Sequence, residues 1–124
     1  MREILFRGKP INKSDGANSW IEGFYTKSPS GRTRILTTYN ATPIEVIPES
    51  VGQFTGLIDK NGKKIFEGDI ILFNNFGDTL DKVVYSSGCF HTSRGGYLLD
   101  KIREIEIIGN IYEHPHLLKE GVTL

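Results

Sequence analysis

Apolar residues recur along this chain in short stretches at alternate positions, interrupted every few residues by glycine, proline, asparagine or aspartate. A period of two marks half-buried strands, because successive side chains point to opposite faces of a sheet. Residues 4–6 read as a first strand. Residues 9–19, with Pro10, Asn12, Ser14, Asp15, Gly16 and Asn18, read as a loop. Trp20-Ile21-Glu22-Gly23-Phe24-Tyr25-Thr26 is a strong strand pattern, and Gly23 within it is expected at a bulge. Ser28-Pro29-Ser30-Gly31 forms a turn, residues 33–39 the returning strand, and residues 43–47 a further extended piece before Pro48.

The second half is more regular. Residues 54–58 lead into Asp59-Lys60-Asn61-Gly62 and then residues 63–66. Asn-Gly between alternating apolar residues is a strong hairpin signal, because both residue types tolerate the positive φ that the turn requires. Glu67-Gly68-Asp69 turns the chain into a buried strand at residues 70–73, and residues 82–86 and 89–92 continue the sheet on either side of Gly88. Leu98, Ile102 and Ile105 fall at helical spacing, so a helical turn is expected over residues 97–102. Glu104-Ile105-Glu106-Ile107 then returns to period two, in a strand running to Tyr112. Pro115 suits the first turn of a short terminal helix through Leu118. The expected fold is all-β with little helix: an N-terminal β subdomain over residues 1–52, and a small SH3-like or related barrel with a short C-terminal helix over residues 53–124, packed as one unit.

Composition narrows the function classes. The 124 residues carry 15 Lys/Arg and 15 Asp/Glu, a formal net charge of zero. The balance holds in both halves, with eight basic to six acidic residues over 1–62 and seven to nine over 63–124. Proteins that track nucleic-acid backbone carry a basic excess; this chain has none. A single cysteine, Cys89, excludes an intrachain disulfide and points to a reducing compartment, the cytoplasm. The opening Met1-Arg2-Glu3-Ile4-Leu5-Phe6-Arg7 lacks the apolar core of a signal peptide. The longest aliphatic or aromatic run, Ile70-Ile71-Leu72-Phe73, is far shorter than the roughly 20 residues a membrane-spanning helix needs, so no membrane partner is expected.

Three stretches carry a family resemblance: the opening residues 1–7; the block Gln53-Phe54-Thr55-Gly56-Leu57-Ile58-Asp59-Lys60-Asn61-Gly62-Lys63-Lys64-Ile65-Phe66-Glu67-Gly68-Asp69-Ile70-Ile71; and Ile108-Gly109-Asn110-Ile111-Tyr112-Glu113-His114-Pro115. In order and spacing they resemble the YopX family of phage and prophage proteins. The resemblance implies a β-rich fold and an origin in a bacteriophage or prophage, acting in the cytoplasm of a bacterial host. It implies no mechanism, catalytic residue or cofactor. His114 and His116 depart from the family's usual ending, an Asn-Pro followed by an acidic residue, so no shared histidine function is implied.

Candidate chemistry is weighed residue by residue. Within the central block, Thr55, Asp59, Asn61, Glu67 and Asp69 could line a polar site at one end of a barrel, but each also has a turn or strand role, and that structural role is preferred. An EF-hand is excluded, because counting from Asp59 puts glycine at position four and Lys63 at position five. Cys89 with His91, and His114 with His116, are two close pairs of potential zinc ligands with loose spacing. Cys89 and His91 as a nucleophile and base would still need an orienting group and an oxyanion hole. Asp78 with Asp81, and Glu104 with Glu106, look like loop and solvent-facing charges. Ser93-Arg94-Gly95-Gly96 matches no phosphate cradle and is expected to be a mobile turn.

For nucleic acid, the candidate contacts are Arg32 and Arg34 at one hairpin tip and Lys60, Lys63 and Lys64 at another, with Tyr25, Tyr39 and Phe66 as stacking faces. Charged tips equally keep sheet edges soluble. The leading expectation is a non-catalytic binding or assembly module that associates with itself or another protein, because residues 20–26 are apolar on both faces. Nucleic-acid binding ranks second, and an enzyme of unassigned class third.

Overall fold

The computed structural model describes residues 3–12, 19–38 and 40–118. The chain divides into two compact units, Met1–Phe54 and Thr55–Leu124. Both are built from antiparallel strands, and the helical elements among the described residues are three- or four-residue 3₁₀ turns. The all-β reading holds.

In the first unit, β1 (Phe6–Gly8), β2 (Ile21–Lys27), β3 (Thr33–Thr37) and β4 (Pro43–Glu45) lie in the order β4-β3-β2-β1. The start of β5 (Gly52–Ile58) pairs with β1 through Phe6↔Gln53 and Arg7↔Gly52. Beyond β1, Pro10 bridges Val46, and the Ile47 N–H donates to the Lys9 carbonyl at 2.8 Å. Leu5, Ile35, Ile44 and Val46 fill the interior. Alternation on β3 is regular, with Thr33, Ile35 and Thr37 buried and Arg34 and Leu36 half-buried. Fully burying an apolar side chain of this size contributes roughly 1.5–3 kcal/mol.

Gly23 does not form the expected bulge. It sits in uninterrupted register, opposite Phe6 on one side and Thr37 on the other. Its role is close approach, because a Cβ there would overlap the Leu36 carbonyl oxygen and crowd Ile35.

In the second unit, the rest of β5 neighbours β6 (Lys64–Phe66). A four-stranded sheet follows in the order β10-β7-β8-β9, made of β7 (Asp69–Asn74), β8 (Asp78–Ser86), β9 (Cys89–Thr92) and β10 (Glu106–Asn110). This sheet is open, with β9 and β10 at its edges, so the expected small barrel does not form. The closing strand β10 pairs only with β7, and its register slips between Ile107 and Gly109. Ile65, Ile71, Phe73, Val83, Phe90, Leu99 and Ile105 make one buried cluster, with Leu57, Ile102 and Ile107 packed against it. The expected helical turns appear as 3₁₀ turns at Leu99–Lys101 and Pro115–Leu118.

The β5–β6 and β8–β9 turns differ in length. At Asp59-Lys60-Asn61-Gly62 only Gly62 takes a positive φ, 83°. The Gly62 N–H donates to the Asp59 carbonyl, and the Asp59 N–H donates to the Lys63 carbonyl at 2.8 Å. This is a three-residue loop with a left-handed glycine. A two-residue turn joins β8 and β9, where Ser86 faces Cys89 and the intervening Ser87 and Gly88 have φ of 54° and 81°.

Gly23→Ala is expected to destabilise the chain by at least about 2 kcal/mol through overpacking. Urea unfolding followed by tryptophan fluorescence measures this, and unchanged stability would show that the two strands separate without cost.

Candidate functional site

Three aspartates of the second unit are buried, and each serves a turn. Asp59 is 5% exposed. Its Oδ1 accepts the N–H groups of Asn61 and Lys63, both at 2.9 Å, and its Oδ2 accepts the Ile107 N–H at 3.1 Å. One carboxylate thus closes the β5–β6 turn and ties it to β10, 48 residues further on. Burial disfavours its charge, but the N–H donors of Lys63, Ile107 and Asn61, with the Lys63 ammonium, more than offset this. The carboxyl is held below its ordinary value of 3.8. Asp69 accepts the Phe66 N–H at 2.7 Å across the turn that Gly68 makes with φ of 94°.

Asp81 is 3% exposed, not the solvent-facing charge that its sequence neighbourhood implied. Its Oδ2 accepts the N–H groups of Arg94 and Gly95 at 2.9 and 3.0 Å, and the Arg94 guanidinium lies 3.8 Å from its Oδ1. Ser93-Arg94-Gly95-Gly96 is therefore a loop held by a buried carboxylate. Thr55 is also buried and donates its hydroxyl to the Ile65 carbonyl at 2.8 Å. Thr55, Asp59 and Asp69 of the central block thus serve backbone groups.

Most of the cations expected to contact nucleic acid have partners within their own unit. Arg32 lies in the β2–β3 loop and meets Glu45 at 3.5 Å, whereas Arg34 lies within β3, half-buried and opposite Glu45. Lys60 in the β5–β6 turn meets Glu106 at 3.5 Å, Lys63 sits beside Asp59, and Lys64 opens β6 with a partner of its own. Of the aromatic faces, Phe66 is 2% exposed and unavailable for stacking. Tyr25 is exposed and lies 5.6 Å from the Phe6 ring, and Tyr39 falls outside the described residues.

The two candidate metal pairs are each occupied locally. Cys89 and His91 share a face of β9, but Cys89 lies 3.6 Å from the Ser86 carbonyl oxygen, and His91 contacts Ser86 and the Thr92 carbonyl. His114 accepts the Asn110 N–H through Nδ1 at 3.2 Å, and its ring lies 6.2 Å from that of His116. Among the described residues, no three His, Cys, Asp or Glu side chains converge to hold a metal ion.

The strongest surface feature is one that the sequence reading passed over. The β7–β8 turn, Asn75-Phe76-Gly77, carries Phe76 fully exposed on left-handed backbone, φ 58°. Left-handed geometry is unfavourable for a bulky side chain, and exposing a phenyl ring adds to that cost. Beside the turn lies an open cleft of about 740 Å³. Phe73, Leu72 and Ile102 contribute its apolar lining, while Asn75 donates its amide to the Tyr97 hydroxyl at 2.7 Å. Three cations, Lys60, Lys101 and Arg103, and three anions, Asp78, Glu104 and Glu106, also line it. Such a cleft suits a ligand of mixed polarity better than a polyanion. A free-standing phenylalanine is hard to find in sequence, because Asn-Asn-Phe-Gly reads simply as turn chemistry.

Two antiparallel β units, with aspartate-pinned turns and a polar cleft in the second, define a small all-β protein. The chain belongs to the YopX protein family, whose model matches residues 11–119. It is also similar to protein EF1440 from Enterococcus faecalis, known from a crystal structure, at 24% identity and a TM-score of 0.52, covering 96% of this chain and 100% of that one. That likeness shows the shared fold. No curated protein matches the chain at a significant level, and no helix among the described residues is long and apolar enough to cross a membrane.

Asp59→Asn keeps the side-chain shape but sets an NH₂ group against a backbone donor. It is expected to cost about 2–4 kcal/mol at neutral pH. Because the folded carboxyl ionises below its unfolded value, its contribution is present above about pH 4 and fades as the pH falls through the folded value. Urea unfolding across pH should show the parent and variant converging in acid; equal stability at neutral pH would contradict the role given to Asp59.

Proposed function

We infer that this chain is a phage- or prophage-encoded accessory protein of the bacterial cytoplasm that works by binding protein, its own copies included. The observation that carries this reading is Phe76, fully exposed on left-handed backbone in the turn whose flanking residues Asn75 and Asp78 line the cleft. Phenylalanine is among the aromatic residues enriched at interfaces, and a ring projected from a strained turn is well placed to enter a partner's surface. Balanced charge around the cleft and the carboxylates beside Arg32 and Lys60 favour a protein over nucleic acid. The phage or prophage origin rests on the family resemblance.

Phe76→Ser removes the ring while leaving the buried cluster intact. The variant should fold with stability within about 0.5 kcal/mol of the parent. In light scattering across a wide concentration range it should lose any self-association that the parent shows. For a monomeric parent, affinity capture from phage-infected cells with nuclease present should recover a defined protein that the variant loses. Identical association by both proteins would overturn this reading, as would capture abolished by nuclease.

A further inference from the structure

The β8–β9 hairpin tip brings together the side chains of Ser86 and His91, five residues apart. Residues directly opposite in an antiparallel ladder share a face, and so do residues two apart on one strand. Val84 faces His91 and Ser86 faces Cys89, so these four side chains lie on one side of the hairpin. On that face the Ser86 Oγ lies 2.5 Å from His91 Nε2, and His91 Nδ1 lies 2.9 Å from the Thr92 carbonyl oxygen.

The tautomer follows from the partners. A carbonyl oxygen only accepts, so Nδ1 carries the ring proton and donates it to Thr92. In the neutral ring Nε2 is then the acceptor, and the Ser86 hydroxyl donates to it. This is the nucleophile–base–orienter order of acyl-transfer sites, with a backbone carbonyl in the orienting position. The hydroxyl, not the Cys89 thiol, occupies the histidine's accepting nitrogen, and the thiol is turned to the Ser86 carbonyl.

We propose that Ser86 is a base-activated nucleophile that accepts an acyl group from an activated ester or thioester. As Ser86 Oγ bonds to the acyl carbon, His91 Nε2 takes the hydroxyl proton. The bond from the acyl carbon to the leaving oxygen or sulfur breaks, its electron pair departs with the leaving group, and the proton on Nε2 passes to that group. Ser86 stands exposed to solvent, which confines the reaction to donors that are already activated. Leu98, bridged to His91 and 44% exposed, offers apolar surface beside the site for the acyl chain.

The test uses the full chain carrying Cys89→Ala, so that the thiol does not react, with p-nitrophenyl acetate as the acyl donor. Nitrophenolate release and peptide mapping by mass spectrometry should give one acetyl group on Ser86. Ser86→Ala should abolish that label, and His91→Gln should slow it at least about 100-fold. Acetylation confined to lysines would overturn the proposal, as would His91→Gln labelling Ser86 at the parent's rate. A measurement needing no nucleophile or base variant is the ¹⁵N spectrum of the His91 ring: a proton on Nδ1 is expected, and a proton on Nε2 would equally overturn it.

Discussion

The Asp59 carboxylate is the constraint on which the second unit depends. Its two oxygens accept three backbone N–H groups, two from its own turn and one from β10. A second link runs beside it, from the Lys60 N–H to the Ile105 carbonyl at 2.8 Å. Together they fasten the β5–β6 turn to the edge strand β10, 48 residues further along the chain. A charge this deeply buried persists only when fully hydrogen-bonded, and removing the acceptor would leave buried donors unsatisfied. Ile65 and Ile105 pack in the common cluster beside this link.

Asp69 and Asp81 repeat the device on a smaller scale, at the turn into β7 and at the loop after β9. Thr55, Asp59 and Asp69 of the central block are engaged by backbone groups, and exposed groups stand at two further hairpin tips. The β7–β8 tip presents Phe76 beside a cleft, and the β8–β9 tip presents Ser86 against His91. Both tips use left-handed backbone, which re-aims the side chains of residues adjoining the strands. The turns thus both fold this unit and set out its surface groups.

Period-two alternation and turn residues made the strands legible, including the regular alternation of β3 and the hairpin around Gly62. The central block and the closing residues made the family legible. What escaped was contact between strands and turns. Gly23 reads as a bulge until the facing Leu36 carbonyl is in view. Asp81 reads as a surface charge because its partners, the N–H groups of Arg94 and Gly95, lie 13 and 14 residues away. The barrel expectation failed because β10 pairs with β7 alone, leaving the sheet with two edges. His91 was matched with Cys89 by spacing, whereas diagonal placement across the hairpin matches it with Ser86. Phe66 was credited with an exposed face because residue type does not reveal which side of a short strand is covered.

The central claim, that an ionised Asp59 holds the turn to β10, is tested most directly by NMR of the unmodified chain in an acid titration. The Asp59 side-chain carboxyl carbon should titrate with a midpoint below 3.8, and the amide protons of Asn61, Lys63 and Ile107 should shift with the same midpoint. A midpoint at or above 3.8, or an Ile107 amide that ignores the Asp59 transition, would contradict the account.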